Sequence, residues 1–177
     1  MLSTRVGYAG GTEPDPTYRN IGGHAETLQV DFDPDVIEFE RILDIFWSEH
    51  RPTHPDRASQ YRSAIFVAHE GELAAALESR DRIDRKLGAK VDTEIRILDA
   101  FHRAEDYHQK YYMRRAPGVA EELEIRLGDF DAYVDSTTVA RINGFLGGHE
   151  LGRFRTEIDE LGLSPRARRE LILAIDL

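Results

Sequence analysis

Two runs of polar–apolar alternation, residues 3–8 (STRVGY) and 26–32 (ETLQVDF), flank a stretch that can be neither helix nor strand: AGGTEPDPTYRNIGGHA, with four glycines and two prolines. Alternation puts Leu28, Val30 and Phe32 on one face and predicts half-buried strands. A loop of that length inside a compact domain is usually functional. After the turn at Asp33-Pro34, IEFERILDIFWSEH predicts a helix over about 37–50 with an apolar stripe of Ile42, Ile45 and Phe46, and Trp47 reads as core. RPTHPDRASQ is a loop by its prolines, YRSAIFVA a buried strand, 71–87 a helix closed by Gly88, and DTEIRIL (92–98) a strand. AEDYHQKYYMRR (104–115) predicts a further helix stopped at Pro117-Gly118. In that helix Glu105, Asp106, His108, Tyr107 and Tyr111 read as a packing stripe. This order predicts an α+β fold, a two-layer sandwich of helices on a mixed β-sheet.

The last part of the chain reads as helical, with Ser136 and Ser164 as N-caps and Pro165 at the first helical position. We therefore expect one domain over 1–115, a linker at 116–128 and a C-terminal helical appendage over 129–177. Composition narrows the function. The 177 residues carry 23 basic against 33 acidic groups, a net charge of -10, which argues against nucleic acid or an anionic membrane as partner. There is no cysteine, so disulfides, thiolate metal sites and a thiol nucleophile are excluded in the chain as written. No window reaches the roughly 18 apolar residues of a membrane span and no basic-then-apolar leader opens the chain. The expectation is a cytoplasmic protein.

The chemistry-bearing residues are Tyr8 in GYAGG, His24-Ala25-Glu26 after the glycine loop, and Asp56 with Tyr61 in PDRASQYRS. A carboxylic acid and two phenols could protonate and hydrogen-bond one oxygen atom, provided burial keeps the acid protonated near neutrality. Other readings fail on their own terms. His24-x-Glu26 mimics a zinc deaminase motif that also needs a Cys-x-x-Cys pair. Pro52 lies between His50 and His54 and denies them a shared helical face. GYAGGT lacks the helix and the Lys-Ser/Thr of a phosphate loop.

Taken together, VGYAGG (6–11), PTY (16–18), GHAE (23–26), the DPD turn with its FW helix, PDRASQYRSAIF (55–66), TEI (93–95) and AEDYHQKY (104–111) resemble the A-type peptide-methionine (S)-S-oxide reductases. The resemblance covers about residues 3–115 and implies a ferredoxin-like α+β fold. It also implies a reaction: a cysteine within GCFW attacks the sulfoxide sulfur, a glutamate protonates the oxygen, two tyrosines hydrogen-bond it and an aspartate orients water. Carried over by motif, these are Glu26, Tyr8 with Tyr61, and Asp56. The implied substrate is methionine-(S)-sulfoxide, free or in proteins and peptides, and thioredoxin or another thiol is the implied reductant; no metal or organic cofactor is implied. The GCFW strand-to-helix unit is not in the sequence, so we expect a domain lacking its first strand and helix, inactive as it stands, with self-association as one way to hide the uncovered surface. The alternative is a cysteine-free relative that binds methionine sulfoxide or a peptide without turnover.

Overall fold

The computed structural model describes residues 2–53 and 59–175. The chain divides into two units, Val6–Glu105 and a second made of Met1–Arg5 with Asp106–Leu177.

In the first unit the expected alternation is realised as β1 (Ser3–Ala9, whose last four residues belong here), β2 (Ala25–Asp31), α1 (Phe39–Ser48), β3 (Ala64–Val67), α2 (Glu70–Leu87), β4 (Glu94–Ile97) and β5 (Phe101–Arg103). The fold is α+β, and its pairing is mixed, though divided over two sheets. One has the order β2-β1-β5, the other β3-β4. β1 and β5 run antiparallel with Tyr8 opposite His102, and β3 and β4 run parallel with Ile65 opposite Ile95. A parallel pair needs a long crossover, and α2 supplies it. Gly88, at φ 65, closes α2 in the left-handed region, where the missing Cβ removes the penalty. β5 was not foreseen, because three residues are too few to show a period.

Helix α1 carries apolar residues on two faces. Leu43 and Trp47 pack with Ile65, Val67 and Ala76, while Ile45, part of the expected core stripe, is 44% exposed. A helix that is apolar over so wide an arc has more to bury than its own sheet covers.

In the second unit the expected helix at 104–115 is replaced by two 3-10 turns, Asp106–His108 and Tyr111–Arg115. Lys110 between them takes φ 47, a left-handed conformation that no helix can continue through. The expected packing stripe is lost with the helix, and Tyr107 and Tyr111 are exposed. Pro117 starts a helix instead of stopping one. The expected linker holds α3 (Pro117–Leu127), with proline at the first turn, where its missing N–H costs nothing, and with Val119 and Leu123 fully buried one turn apart. Then follow α4 (Phe130–Asp135), α5 (Thr137–Leu146), α6 (Leu151–Glu157) and α7 (Pro165–Ile175). Ser136 and Ser164 accept from the amides of Val139 and Ala167, as expected of N-caps. Leu123, Val134, Ile142, Leu146 and Leu171 form the centre of this unit's core. The first residues of the chain are tied into it. Thr137 Oγ1 donates to the Leu2 carbonyl at 2.6 Å, Lys110 Nζ to the Thr4 carbonyl at 2.7 Å, and Arg5 pairs with Asp135 at 2.5 Å.

Candidate active site

The glycine-rich loop is ordered by its own polar groups. The Thr12 amide donates to the Gly22 carbonyl at 3.1 Å, and Thr17 and Asn20 exchange backbone hydrogen bonds. Buried beneath the loop, His24 donates from Nε2 to the Glu13 carbonyl at 2.9 Å and meets the His102 ring edge to face at 5.2 Å. Gly11 makes room for it: a Cβ there would lie 2.2 Å from the His24 amide nitrogen. His24 is therefore spent on holding the loop, and it delivers Ala25-Glu26 to the start of β2.

Tyr8 is 2% exposed, and its phenol donates to Glu105 Oε2 at 2.7 Å. The other carboxylate oxygen of Glu105 accepts from the Tyr18 amide at 3.1 Å. Glu26 and Tyr61 stand elsewhere. Glu26 is an exposed residue on β2, and Tyr61 ends the 3-10 turn Ser59–Tyr61 with 48% of its surface exposed. Both line one cavity of about 890 Å³, which runs along the whole of β2 and β3 and is walled by the outer face of α1, with Phe39, Ile42, Ile45 and Phe46. The structure thus brings Glu26 and Tyr61 to one space and gives Tyr8 a carboxylate partner instead. Asp56 lies outside the described residues.

Behind Tyr61 the chain is firmly held. His50 donates from Nδ1 to the Phe46 carbonyl at 2.9 Å; in the neutral ring Nε2 then accepts from Ser63 Oγ at 2.9 Å, and Ser63 lies 2.8 Å from Thr93 Oγ1. Arg62 pairs with Glu94 at 2.9 Å. Burial would raise the Glu94 carboxyl, but the hydrogen bonds from Arg62 and Arg96 outweigh it and hold the group below its usual value. Among the described residues no cluster of three or more His, Asp or Glu is placed to hold a metal ion, and no helix is long and apolar enough to cross a membrane.

The profile of the family described as peptide methionine sulfoxide reductase matches residues 1–135. The chain belongs to that family. Among related methionine sulfoxide reductases, the MsrA of Methanococcoides burtonii is 43% identical over 125 residues, 64% of this chain and 82% of its own length. The peptide methionine sulfoxide reductase of Drosophila melanogaster is 36% identical over 174 residues, covering 96% of this chain and 69% of the relative. Reduced Mxr1 from Saccharomyces cerevisiae aligns with a TM-score of 0.59 at 31% identity, over 64% of this chain and 71% of the other. The methionine sulfoxide reductase A of Corynebacterium diphtheriae gives the same TM-score at 32% identity, over 64% and 63% of the two chains. For a methionine sulfoxide reductase family member, the residue that motif reading passed over is Tyr18. It was legible only as part of PTY, and it becomes notable because it is a 44% exposed phenol on the loop that positions Glu26.

Proposed function

We propose that the Val6–Glu105 unit binds the sulfoxide group of methionine-(S)-sulfoxide, in peptides or free, and supplies the proton that lets its oxygen leave. The observation that carries this reading is that an acid, Glu26, and a phenol, Tyr61, share one cavity with the apolar side chains of Phe39, Ile42, Ile45 and Phe46. A sulfoxide has that division: a polar oxygen on a sulfur flanked by methyl and methylene groups. Tyr61 donates a hydrogen bond to the oxygen, Glu26 delivers the proton once a bound ligand covers its otherwise exposed carboxyl, and Phe46 and Ile45 take the thioether side.

Reduction itself needs a soft nucleophile. A thiolate attacks sulfur, the S–O bond breaks, methionine leaves, and the oxygen remains on the thiol as a sulfenic acid, which a second thiol converts to a disulfide and water. The chain has no cysteine. The thiolate therefore has to come from a segment or molecule that is not in this sequence, and thioredoxin or another thiol of a reducing compartment would close the cycle.

The test is titration of the isolated protein with N-acetyl-methionine-(S)-sulfoxide methylamide, followed by NMR. We expect saturable shifts on β2, β3 and α1, weaker binding of the (R) isomer, and a loss of about three- to tenfold in Tyr61→Phe, the weight of one hydrogen bond. Shifts confined to other surfaces, or none, would overturn the reading.

A further inference from the structure

Glu26 stands on β2 and Tyr61 ends the 3-10 turn that leads into β3, and among the described strands no backbone ladder joins β2-β1-β5 to β3-β4. Arg62 spans that break. Its Nη1 donates to the Gly23 carbonyl at 2.9 Å, just before β2, and its Nη2 reaches the Gly10 carbonyl at 3.3 Å, just after β1. Its Nε donates to Glu94 Oε2 at 2.9 Å, at the start of β4. We propose that Arg62 is a positioning residue: its guanidinium pins the two sheets together at the mouth of the cavity and so fixes where Glu26 stands relative to Tyr61. The functional half of this inference rests on the sulfoxide reading above.

The chemistry suits only arginine. Three acceptors in three directions require a rigid planar fork, and a lysine ammonium is a compact point charge that cannot hold the same geometry. The loop is shaped to receive it. Gly10 has φ +83, and a Cβ there would fall 2.8 Å from Arg62 Nη2 and 2.5 Å from the Phe66 ring. Glu94 is held in turn by Arg96 at 2.7 Å, so the anchor on the β4 side is itself fixed. Next in the chain, Ser63 is engaged with His50 and Thr93, so Arg62 projects from an immobilised piece of backbone.

The absence of native cysteine makes the test direct. Leu28→Cys on β2 and Glu70→Cys at the start of α2, both exposed, take nitroxide labels with no competing thiol. The parent protein should give one narrow inter-label distance, and Arg62→Met a broadened or displaced one at unchanged helix content. An unchanged distribution overturns the proposal. If Arg62→Met does not fold, Arg62→Lys is read by the same criterion. The second arm is a double-mutant cycle on sulfoxide binding. Tyr61→Phe should weaken binding about fivefold with Arg62 present and less than about twofold in Arg62→Met, whereas equal losses in both backgrounds refute positioning. Should the parent protein bind no sulfoxide, the functional reading falls and the label distances alone decide whether Arg62 is the joint.

Discussion

A phenol has one proton to give, and Tyr8 gives it to Glu105. That bond decides how the residue should behave. Tyr8→Phe keeps the ring's packing but leaves a carboxylate oxygen short of a donor, so a destabilisation of about 1–3 kcal/mol is expected in urea titration, with little change in sulfoxide affinity. Loss of affinity without loss of stability would restore Tyr8 to the binding site. The sequence could not distinguish the two outcomes, because the motif VGYAGG fixes which residue is present and not which of two phenols turns inward. Lys110 is legible only in three dimensions. Burial, with Arg5 nearby and Asp135 opposing, lowers its ammonium from 10.5 to about 8. Between these values the unfolded chain holds the proton and the folded one does not. Stability should therefore rise from pH 8 toward pH 10, and the penalty is in full force below pH 8. Tyr133 works the other way at higher pH, since burial, with Glu124 adding to it, raises its phenol above the usual 10.0. Comparison of denaturation midpoints across this range with those of Lys110→Met, which should lack the rise, isolates the lysine.

Helix α1 shows why some elements were readable and one of their faces was not. Periodicity located the helix to within two residues at each end and Trp47 is core as expected, yet the apolar stripe was placed on Ile42, Ile45 and Phe46, whereas the residue buried with Trp47 is Leu43. Both sets satisfy helical spacing, and nothing in a single helix says which of two apolar stripes meets its own sheet. What settles the choice is a polar contact. Trp47 Nε1 donates to Ser79 Oγ at 3.0 Å, and Ser79 returns its proton to the Ala76 carbonyl at 2.7 Å, all of it buried between α1 and α2. Ser79→Ala should cost about 1–3 kcal/mol by orphaning the indole N–H, and should blue-shift or dequench the single tryptophan's fluorescence relative to the parent; an unchanged midpoint would mean that water takes the serine's place. The replaced helix at 104–115 failed for a different reason. Propensity favoured it, but Lys110 takes a left-handed backbone and its ammonium donates to the Thr4 carbonyl, 106 residues away in sequence, so a long-range contact accompanies the break that local preference did not foresee.

For the molecule as a whole, β2 and β3 each stand at the edge of their sheet among the described strands, and both line the cavity together with the outer face of α1. A strand residue occupies about 160 Å³ (roughly 3.4 Å rise, 4.8 Å spacing and 10 Å thickness), so a cavity of about 890 Å³ has the volume of five or six residues. A version extended by a GCFW-type strand and its amphipathic helix should gain at least about 3 kcal/mol in equilibrium denaturation, and should acquire the dithiothreitol-dependent reductase turnover that the chain as written should lack. Turnover of a methionine sulfoxide peptide by the cysteine-free chain, above a no-protein control, would contradict the requirement for a thiolate. So would an extended protein no more stable than a monomeric parent contradict the placement of the new strand in that space.

The strand β1 answers to both units: its first three residues are held with the C-terminal helices and its last four with the first unit. The bonds from Arg5 to Asp135 and from Leu2 to Thr137 close loops of 130 and 135 residues. During synthesis the Val6–Glu105 unit has all its residues in hand before the helices that follow it are made, whereas residues 2–5 must wait for partners more than a hundred residues further along the chain. Their partners on α4 and α5 emerge late, and the core they complete is closed by α7 later still. The helical unit therefore matures after the first, and a ribosome stalled between the two would display a settled first unit with residues 2–5 still unpaired to α4 and α5.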